Sequence, residues 1–313
     1  MGDAVVAVPP LASTLARRVL AAKSKSFALA ARLLPPESRD DVAVLYAWCR
    51  YADDAIDLTA RSARAAALAR LRRELDRLCA GELVGEAVID AFGELARRKA
   101  IPRAYPEALL DGFAMDVAST RHETLEELLL YCFRVAGVVG AMMCHVIGLS
   151  DASALRPAVH LGVAMQLTNV CRDVAEDAAD GRVYLPSTLL RVDPAALIAR
   201  PADHVEPVAS TVALLLSLAE LYYRSADRGR RALPLRAAFA VRTARMVYAT
   251  IGDRLARASF DPLRGRAFVP LLVKLWLVLR ALLAPATELP ARARRRLSAQ
   301  PLGLVRYPDD VLR

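Results

Sequence analysis

Several kinds of segment and motif are scarce in this 313-residue chain or missing from it. Glycine occurs only 14 times, and no run alternates apolar and polar residues as a half-buried strand does. No segment repeats with a fixed period, and no stretch rich in glycine and serine divides the chain. These absences argue against a β-rich fold, a repeat protein and a string of linked domains. We expect one all-helical domain.

Cysteine and histidine are also few. The five cysteines are odd in number and form no CxxC pair, so we expect reduced, mostly buried thiols in a cytosolic protein. None of the four histidines has the spacing of a zinc ligand. The N-terminal residues MGDAVVAVPP lack a positively charged region followed by a long apolar stretch. We therefore expect no signal peptide and a cytoplasmic location.

Alanine, leucine and arginine are abundant, and hydrophobic residues make up 55% of the chain. This composition favours helices around a large core. The formal net charge of +9 is suited to nucleic acid, anionic lipid or a phosphorylated substrate, and charge alone does not choose among them. Most arginines have the spacing of a solvated helical face, and no nucleic-acid-binding module is recognisable. We expect no nucleic-acid partner.

Apolar residues recur at helical spacing almost from end to end, and prolines or glycines lie at most of the breaks. We expect residues 11–286 to form the single domain. Residues 287–313 contain ARARRR and several prolines, and we expect a basic tail that is peripheral or partly disordered. The predicted helical segments cover 11–34, 38–59, 62–80, 84–99, 103–117, 124–148, 153–180, 207–230, 235–258 and 266–284.

The segment VPLLVKLWLVLRALLAPA (269–286) is the most apolar of these. It is shorter than the roughly 20 residues of a membrane-spanning helix, and it contains Lys274 and Arg280. We predict a helix of the core. Shallow contact between this or another apolar face and a membrane is left open.

A first acidic cluster lies in the apolar segment YAWCRYADDAID (46–57). Asp53 and Asp57 are four residues apart, so they share one face of a helix. Arg50 precedes Asp53 by about one turn on the same side. Acids on such a helix lie either at its solvent edge or in a polar cavity.

A second cluster lies in QLTNVCRDVAED (166–177). Its polar residues recur every three or four positions on an otherwise apolar helix, and they are Gln166, Asn169, Asp173 and Asp177. The segment GRVYLP (181–186) follows and places Arg182 and Tyr184 near these acids. An ordinary solvated face is one explanation. However, such faces are usually rich in Lys and Glu, whereas this one carries short Asn and Asp side chains.

The two clusters together favour a metal site. If the helices face each other, each pair of carboxylates repels by roughly 4 kcal/mol at about 4 Å in an effective dielectric near 20. Divalent cations would offset this repulsion, and magnesium completes its coordination with phosphate oxygens. We therefore expect a diphosphate bound through metal between two acidic walls. Apolar helices around it would hold a hydrocarbon chain and exclude water.

The chain resembles the squalene/phytoene synthase family at these residues and over about 20–285, and its sequence is most similar to the bacterial phytoene-forming members. The resemblance implies an all-α isoprenoid synthase fold, a single helical domain around a central cavity. The matching segments are SKSFALAARLLP (24–35), YAWCRYADDAID (46–57), GFAMD (112–116), YCFRVAGVVG (131–140), QLTNVCRDVAEDAADGRVYLP (166–186) and LPLRAAFAVRTARMVYATIG (233–252).

The same resemblance implies roles for individual residues. Metal ions, Mg²⁺ or Mn²⁺, would be bound by Asp53, Asp57, Asn169, Asp173 and Asp177. The diphosphate would contact Arg50, Arg172 and Arg182. The substrate site would be lined by Ser24, Ser26, Phe27, Tyr131, Gln166, Tyr184 and Tyr248. The catalytic set would be Asp53, Asp57, Asp173, Asp177, Arg50 and Tyr248.

Simpler explanations exist for some of these residues. Ser24 and Ser26 also suit a helix surface, and the aromatic residues suit a core. By analogy with the family, we expect Gly137 and Gly140 to make room for a prenyl chain rather than to allow close helix packing. His122 stands where relatives often carry an aromatic residue after GFAMD, so no role is assigned to it.

The implied reaction joins two geranylgeranyl diphosphate molecules head to head through prephytoene diphosphate into 15-cis-phytoene, in carotenoid biosynthesis, without NADPH. One alternative is a sister enzyme that uses farnesyl diphosphate and makes squalene, dehydrosqualene or presqualene diphosphate. Another is a non-catalytic assembly protein, although such relatives tend to lack the acids that are present here. The expected partners are prenyl diphosphates and other enzymes of the carotenoid pathway.

Overall fold

The computed structural model describes residues 10–148, 152–229 and 232–283. These residues form helices and connecting turns, with no strand among them. The α-helices are α1 Pro10–Lys23, α2 Lys25–Ala31, α3 Pro36–Asp57, α4 Arg64–Cys79, α5 Ala87–Arg98, α6 Ala104–Val117, α7 Leu125–Cys132, α8 Val138–Ile147, α9 Leu155–Arg172, α10 Val174–Ala179, α11 Ser187–Leu190, α12 Pro194–Ala199, α13 Val205–Gly229, α14 Leu235–Arg257 and α15 Leu271–Leu283. The predicted tail, 287–313, lies outside the described residues.

Helix α9 is the central element of the fold. It packs against α8, α13 and α14, and most of its residues are buried. A helix that is apolar on most of its surface is stable only when neighbours surround it. Two of its buried polar side chains are paired across the contact with α13, where His160 Nδ1 lies 2.7 Å from Ser225 Oγ and Thr168 Oγ1 lies 3.0 Å from Tyr223 Oη.

Glycine allows α9 to approach the preceding segment at backbone distance. A Cβ atom on Gly162 would lie 2.1 Å from the carbonyl oxygen of Ala136, and one on Gly140 would lie 2.3 Å from that of Ala158. A Cβ on Gly137 would be crowded by three side chains within 3.3 Å. Close packing therefore explains Gly137, and our expectation that it makes room for a prenyl chain is wrong. Gly140 packs as closely, but it also lines an apolar cavity between the helices.

Three predicted segments are interrupted. Ser24 divides 11–34, because its extended backbone and its hydroxyl, which accepts the Phe27 N–H at 3.2 Å, start a new helix. The segment 124–148 contains a π-helical turn at Phe133–Gly137, a feature frequent at functional sites. The segment 153–180 breaks at Asp173, which lies between α9 and α10.

The prediction of a core helix near 269–286 is also wrong. Within α15 only Leu277 and Ala281 are buried, and large side chains such as Leu272 and Trp276 are exposed. A helix that is apolar on nearly all sides is normally buried, and α15 has that composition although it packs by one face only. The sequence pattern therefore could not distinguish a buried helix from one that packs by one face.

Two other described stretches, Leu125–Ile147 and Pro201–Gly229, are long and apolar enough to cross a membrane by length and composition. Both contribute to the core around α9, so we interpret them as core helices. The five cysteines are all free thiols, as expected. Three of them are buried, whereas Cys49 is half-buried and Cys79 is exposed.

Candidate active site

Two adjoining chambers lie between α3, α6, α9 and α14. The polar chamber has a volume of about 160 Å³ and is lined by carboxylates together with Asn169, Arg182 and Tyr184. The apolar chamber has a volume of about 380 Å³ and is lined mainly by hydrocarbon side chains. Both are lined by Asp53, Phe113, Tyr131, Gln166 and Asn169. A ligand with a charged head and an apolar tail would fit across this junction.

The first wall of the polar chamber is the C-terminal half of α3. Asp53 and Asp57 face the chamber, as their four-residue spacing predicts. Burial, and next the charge of Asp57, raise the pKa of Asp53 to about 6. Arg50 pairs with Asp53 at 2.8 Å and with Asp54. The same helix therefore supplies both the acids and a cation that holds them.

The second wall is the junction of α9 and α10. Asn169 lies on α9, Asp177 lies on α10, and Asp173 occupies the break between them. Burial, and next the charge of Asp173, raise the pKa of Asp177 to about 7. Arg172 and Arg266 both pair with Asp173, the latter at 3.0 Å.

The two acidic walls are bridged by arginine. Arg182 Nη2 donates to Asp57 Oδ1 at 2.9 Å, across 125 positions of the chain. Its charge also lowers the pKa of Asp177 on the opposite wall, although burial dominates there. The helices thus face each other as the sequence analysis supposed. The charge of Arg182, close to both walls, relieves part of their repulsion.

A divalent cation fits the donor set of this chamber. Asn169 Oδ1 is buried and has no hydrogen-bond partner, and such an atom normally needs one. Among the described residues, no three His, Cys, Asp or Glu side chains are gathered closely enough to hold an ion by themselves. Magnesium does not require this, because it usually takes one or two carboxylates and completes its shell with water and phosphate oxygens.

Asp116 is a site residue to which the sequence analysis gave no role. It lines the polar chamber, and its two oxygens accept hydrogen bonds from Tyr184 Oη at 2.8 Å and Tyr131 Oη at 3.2 Å. Burial is the main cause that raises its pKa to about 6. Its position at the end of GFAMD, one of the segments shared with the family, was the available signal.

The two tyrosines form an aromatic stack with His122. The rings of Tyr131 and Tyr184 lie 5.1 Å apart, and His122 lies 5.2 Å from the first and 6.1 Å from the second. Burial lowers the pKa of His122. A neutral imidazole therefore completes this aromatic cluster.

Arg266 is a second residue that the sequence analysis missed. It lies in the loop before α15, and its guanidinium contacts Asp173 and also Glu176 at 3.2 Å. No spacing rule links a loop arginine to an acid 93 positions earlier. It falls outside the shared segments, so the sequence carried no signal for it.

Two of the four remaining predicted residues line the apolar chamber. Phe27 and Tyr248 line it and contact each other, with ring centroids 5.6 Å apart and ring planes tilted by 44°. Ser24 caps α2, and Ser26 is half-buried. Neither serine is among the residues that line the two chambers.

Comparison with known proteins agrees with this architecture. Residues 20–273 match the family model described as squalene/phytoene synthase. A 15-cis-phytoene synthase from Paracoccus sp. is 42% identical over 78% of this chain and 82% of its own length. A phytoene synthase from Rhodobacter capsulatus is 37% identical over 91% and 86%.

Solved structures show the same fold. A dehydrosqualene synthase crystallised with a ligand has a TM-score of 0.80 at 27% identity, covering 88% of this chain and 97% of that one. Squalene synthase HpnC from Alicyclobacillus acidocaldarius has a TM-score of 0.72 at 25% identity, covering 80% and 95%. The predicted isoprenoid synthase fold is confirmed. The chain belongs to the squalene/phytoene synthase family.

Proposed function

We propose that this chain condenses two molecules of geranylgeranyl diphosphate into 15-cis-phytoene. The observation that carries the proposal is the polar chamber that opens into the apolar chamber, in a chain whose bacterial relatives named above are phytoene synthases. The diphosphate would lie among the acids and arginines, and the prenyl chains would lie in the apolar chamber. The proposal includes a cytoplasmic location and association with other enzymes of the carotenoid pathway.

The family uses prenyl diphosphates and generally needs a divalent metal. We propose Mg²⁺, with Mn²⁺ as a substitute, held by the five predicted ligands Asp53, Asp57, Asn169, Asp173 and Asp177. When bound, the metal would neutralise negative charge that develops on the leaving diphosphate. Burial is the main cause of the raised pKa values of Asp53 and Asp177, and a neighbouring carboxylate adds to each. A cation would favour their charged forms.

The arginines of the polar chamber would hold the two diphosphates. Arg182 contacts Asp57 of the first wall, and Arg266 contacts Asp173 of the second. Each can therefore exchange a carboxylate for a phosphate at its own wall. Arg50 and Arg172 are each held beside an acid of their own wall. A fixed guanidinium fork binds phosphate oxygens with little loss of entropy.

The first half-reaction breaks the carbon–oxygen bond of one substrate. The resulting allylic cation is captured by the double bond of the second substrate, and loss of a proton closes the cyclopropane of prephytoene diphosphate. The second half-reaction releases the other diphosphate, and ring rearrangement and loss of a second proton give phytoene. The apolar side chains exclude water, which would otherwise quench each cation. No reductant enters this balance, so NADPH is not required.

The sister reaction on farnesyl diphosphate is the second candidate, since a dehydrosqualene synthase shares the fold. Purified protein should be given each substrate in parallel, with magnesium and with or without NADPH. We expect phytoene from geranylgeranyl diphosphate, independent of NADPH. A strong preference for farnesyl diphosphate, or squalene formed only with NADPH, would overturn the proposal. No product from either substrate, in a folded protein, would indicate the non-catalytic assembly protein.

A further inference from the structure

Asp54 lies on α3 next to the acids of the first wall, but it takes no part in the reaction described above. Unlike its neighbour Asp53, it is not among the residues that line the polar chamber or the apolar chamber. Successive residues of a helix are rotated by about 100°, so the two side chains leave α3 in different directions. The Asp54 side chain is 23% exposed, and a carboxylate that is buried to this extent needs charged or polar partners.

The guanidinium of Arg50 is one partner of Asp54. Its Nη1 atom lies 2.8 Å from Asp53 Oδ2, and its Nη2 atom donates a hydrogen bond to Asp54 Oδ1. Its third nitrogen, Nε, is buried and has no hydrogen-bond partner among the described residues. Arg50 also lines the apolar chamber. A buried donor of this kind needs an acceptor, and a diphosphate oxygen would supply one.

Lys23 is the second partner of Asp54. It is the last residue of α1, and its Nζ atom lies 3.0 Å from Asp54 Oδ2. The two oxygens of Asp54 are therefore held by two different cations, one on its own helix and one on α1. A carboxylate that is fixed at both oxygens can in turn fix the guanidinium that it contacts.

We propose that Asp54 is a positioning residue, which orients the guanidinium of Arg50 for a diphosphate. Asp53 is one of the proposed metal ligands, so a cation in the polar chamber would compete with Arg50 for its carboxylate. Asp54 lies outside both chambers and would keep its hydrogen bond to Arg50. A guanidinium that is already oriented loses less entropy when it binds phosphate. This inference rests on one part of the proposed function, in which Arg50 contacts a diphosphate.

A simple tie between two helices is the alternative role for Asp54, and the chain offers a matched control for it. Arg17 and Asp40 also join α1 to α3, and their N–O distance is likewise 3.0 Å. The side chains of Arg17 and Asp40 are 49% and 29% exposed, and those of Lys23 and Asp54 are 43% and 23% exposed. Asp40 lines neither chamber. Asp40→Asn therefore removes the same kind of pair away from the site.

The test is calorimetric titration of the full chain with inorganic diphosphate in the presence of magnesium. Asp54→Asn should weaken binding by about tenfold, and Asp54→Glu, which keeps the charge, should restore most of the loss. Asp40→Asn should bind like wild type. Both Asn variants should melt within a few degrees of wild type, because partly exposed ion pairs add little stability. Wild-type binding by Asp54→Asn, or an equal loss in Asp40→Asn, would overturn the proposal.

Arg50→Met shows whether Asp54 acts through Arg50. This variant should weaken diphosphate binding by at least about tenfold. Adding Asp54→Asn to it should weaken binding by less than about twofold more, because no guanidinium remains to be oriented. The same loss from Asp54→Asn in both backgrounds would contradict the proposal. A higher magnesium requirement in Asp54→Asn, as expected for Asp57→Asn, would contradict it too, because Asp54 would then be a metal ligand.

Phytoene formation separates this inference from the proposed function. Asp54→Asn should lower kcat/KM for geranylgeranyl diphosphate by about tenfold, mainly through KM, and Asp40→Asn should leave both constants unchanged. If wild type forms no phytoene but binds diphosphate with the expected dependence on Asp54 and Arg50, the proposed product is wrong and the role of Asp54 stands. If wild type forms phytoene and Asp54→Asn matches it in binding and turnover, only the role of Asp54 is wrong.

Discussion

The polar chamber and the apolar chamber adjoin, yet they are built in different ways. The polar chamber depends on a few charged side chains that α3, α9, α10 and the loop before α15 bring together. The apolar chamber depends on the spacing of helices that are lined by small side chains such as Ala31, Ala158 and Gly162. The chemistry of the first is fixed by residue identity, and the capacity of the second is fixed by packing.

The two chambers also differ in their effect on stability. In the polar chamber, burial and like charges raise the pKa values of Asp53, Asp116 and Asp177 above the ordinary range. Carboxylates held in this way destabilise the folded state at neutral pH. The apolar chamber exposes hydrocarbon to a cavity and loses dispersion contacts. Both costs are typical of active sites, where function opposes stability.

Removal of metal should have the largest effect, because it should disable the polar chamber and leave the apolar chamber able to bind ligand. A chelator should abolish turnover, because the diphosphate leaves without a cation to neutralise it. Binding of an apolar fluorescent probe to the apolar chamber should persist. Activity should return when magnesium is added back. Full turnover in excess chelator would rule out metal between the acidic walls.

Substitution of single acids should have the next largest effect. Asp57→Asn and Asp173→Asn keep the side-chain shape, but each removes a charge from the polar chamber. We expect kcat to fall by about 10²–10³ while the melting temperature stays close to that of wild type.

Asp41 provides the contrast on the same helix as Asp57. It is 4% exposed and pairs with Arg98 at 2.5 Å and Lys99 at 3.2 Å, away from both chambers. Asp41→Asn should lower stability by about 3 kcal/mol, as expected when a buried ion pair is broken, with kcat of the folded fraction preserved. If Asp57→Asn unfolds the protein instead, Asp57 is structural.

Filling the apolar chamber should change which substrate is used rather than the chemistry. Ala158 lines this chamber and lies eleven residues before Asn169 on α9, about 16 Å along the helix axis. Ala158→Phe should reduce kcat/KM for geranylgeranyl diphosphate at least about tenfold relative to farnesyl diphosphate. The retained farnesyl reaction is the internal control for folding. An equal loss with both substrates would show that this end of the chamber does not hold the prenyl chain.

The smallest effect should be on the pH dependence of stability. Because the folded-state pKa of Asp116 is raised to about 6, the folded protein holds this proton more tightly than the unfolded chain. The contribution of Asp116 is therefore present below its ordinary pKa of 3.8 and is lost as pH rises towards 6. In metal-free protein, the free energy of unfolding decreases as pH rises towards 6. Asp116→Asn should make this decrease smaller by on the order of 1 kcal/mol. Urea unfolding between pH 4 and about 7 would measure it. If the variant loses stability with pH as wild type does, then acids other than Asp116 cause the loss.

Much of the polar chamber could be predicted from sequence, because its residues are close together in the chain. A spacing of four residues placed Asp53 and Asp57 on one face, and the three- and four-residue steps from Gln166 to Asp177 aligned the second wall. Arg182 and Tyr184 follow that wall within a few residues, and the family resemblance added Tyr131. Asp116 was inside a shared segment, but only the hydrogen bonds from Tyr131 and Tyr184 gave it a role.

The sequence by itself determined the helical class and the two acid-bearing segments, because these depend on contacts within one or two turns. Only the tertiary structure decided that Arg266 reaches Asp173 and that Gly140 serves helix contact. It also decided that α15 lies on the surface rather than in the core. Each of these depends on which helix packs against which, and a pattern with helical period does not specify a partner.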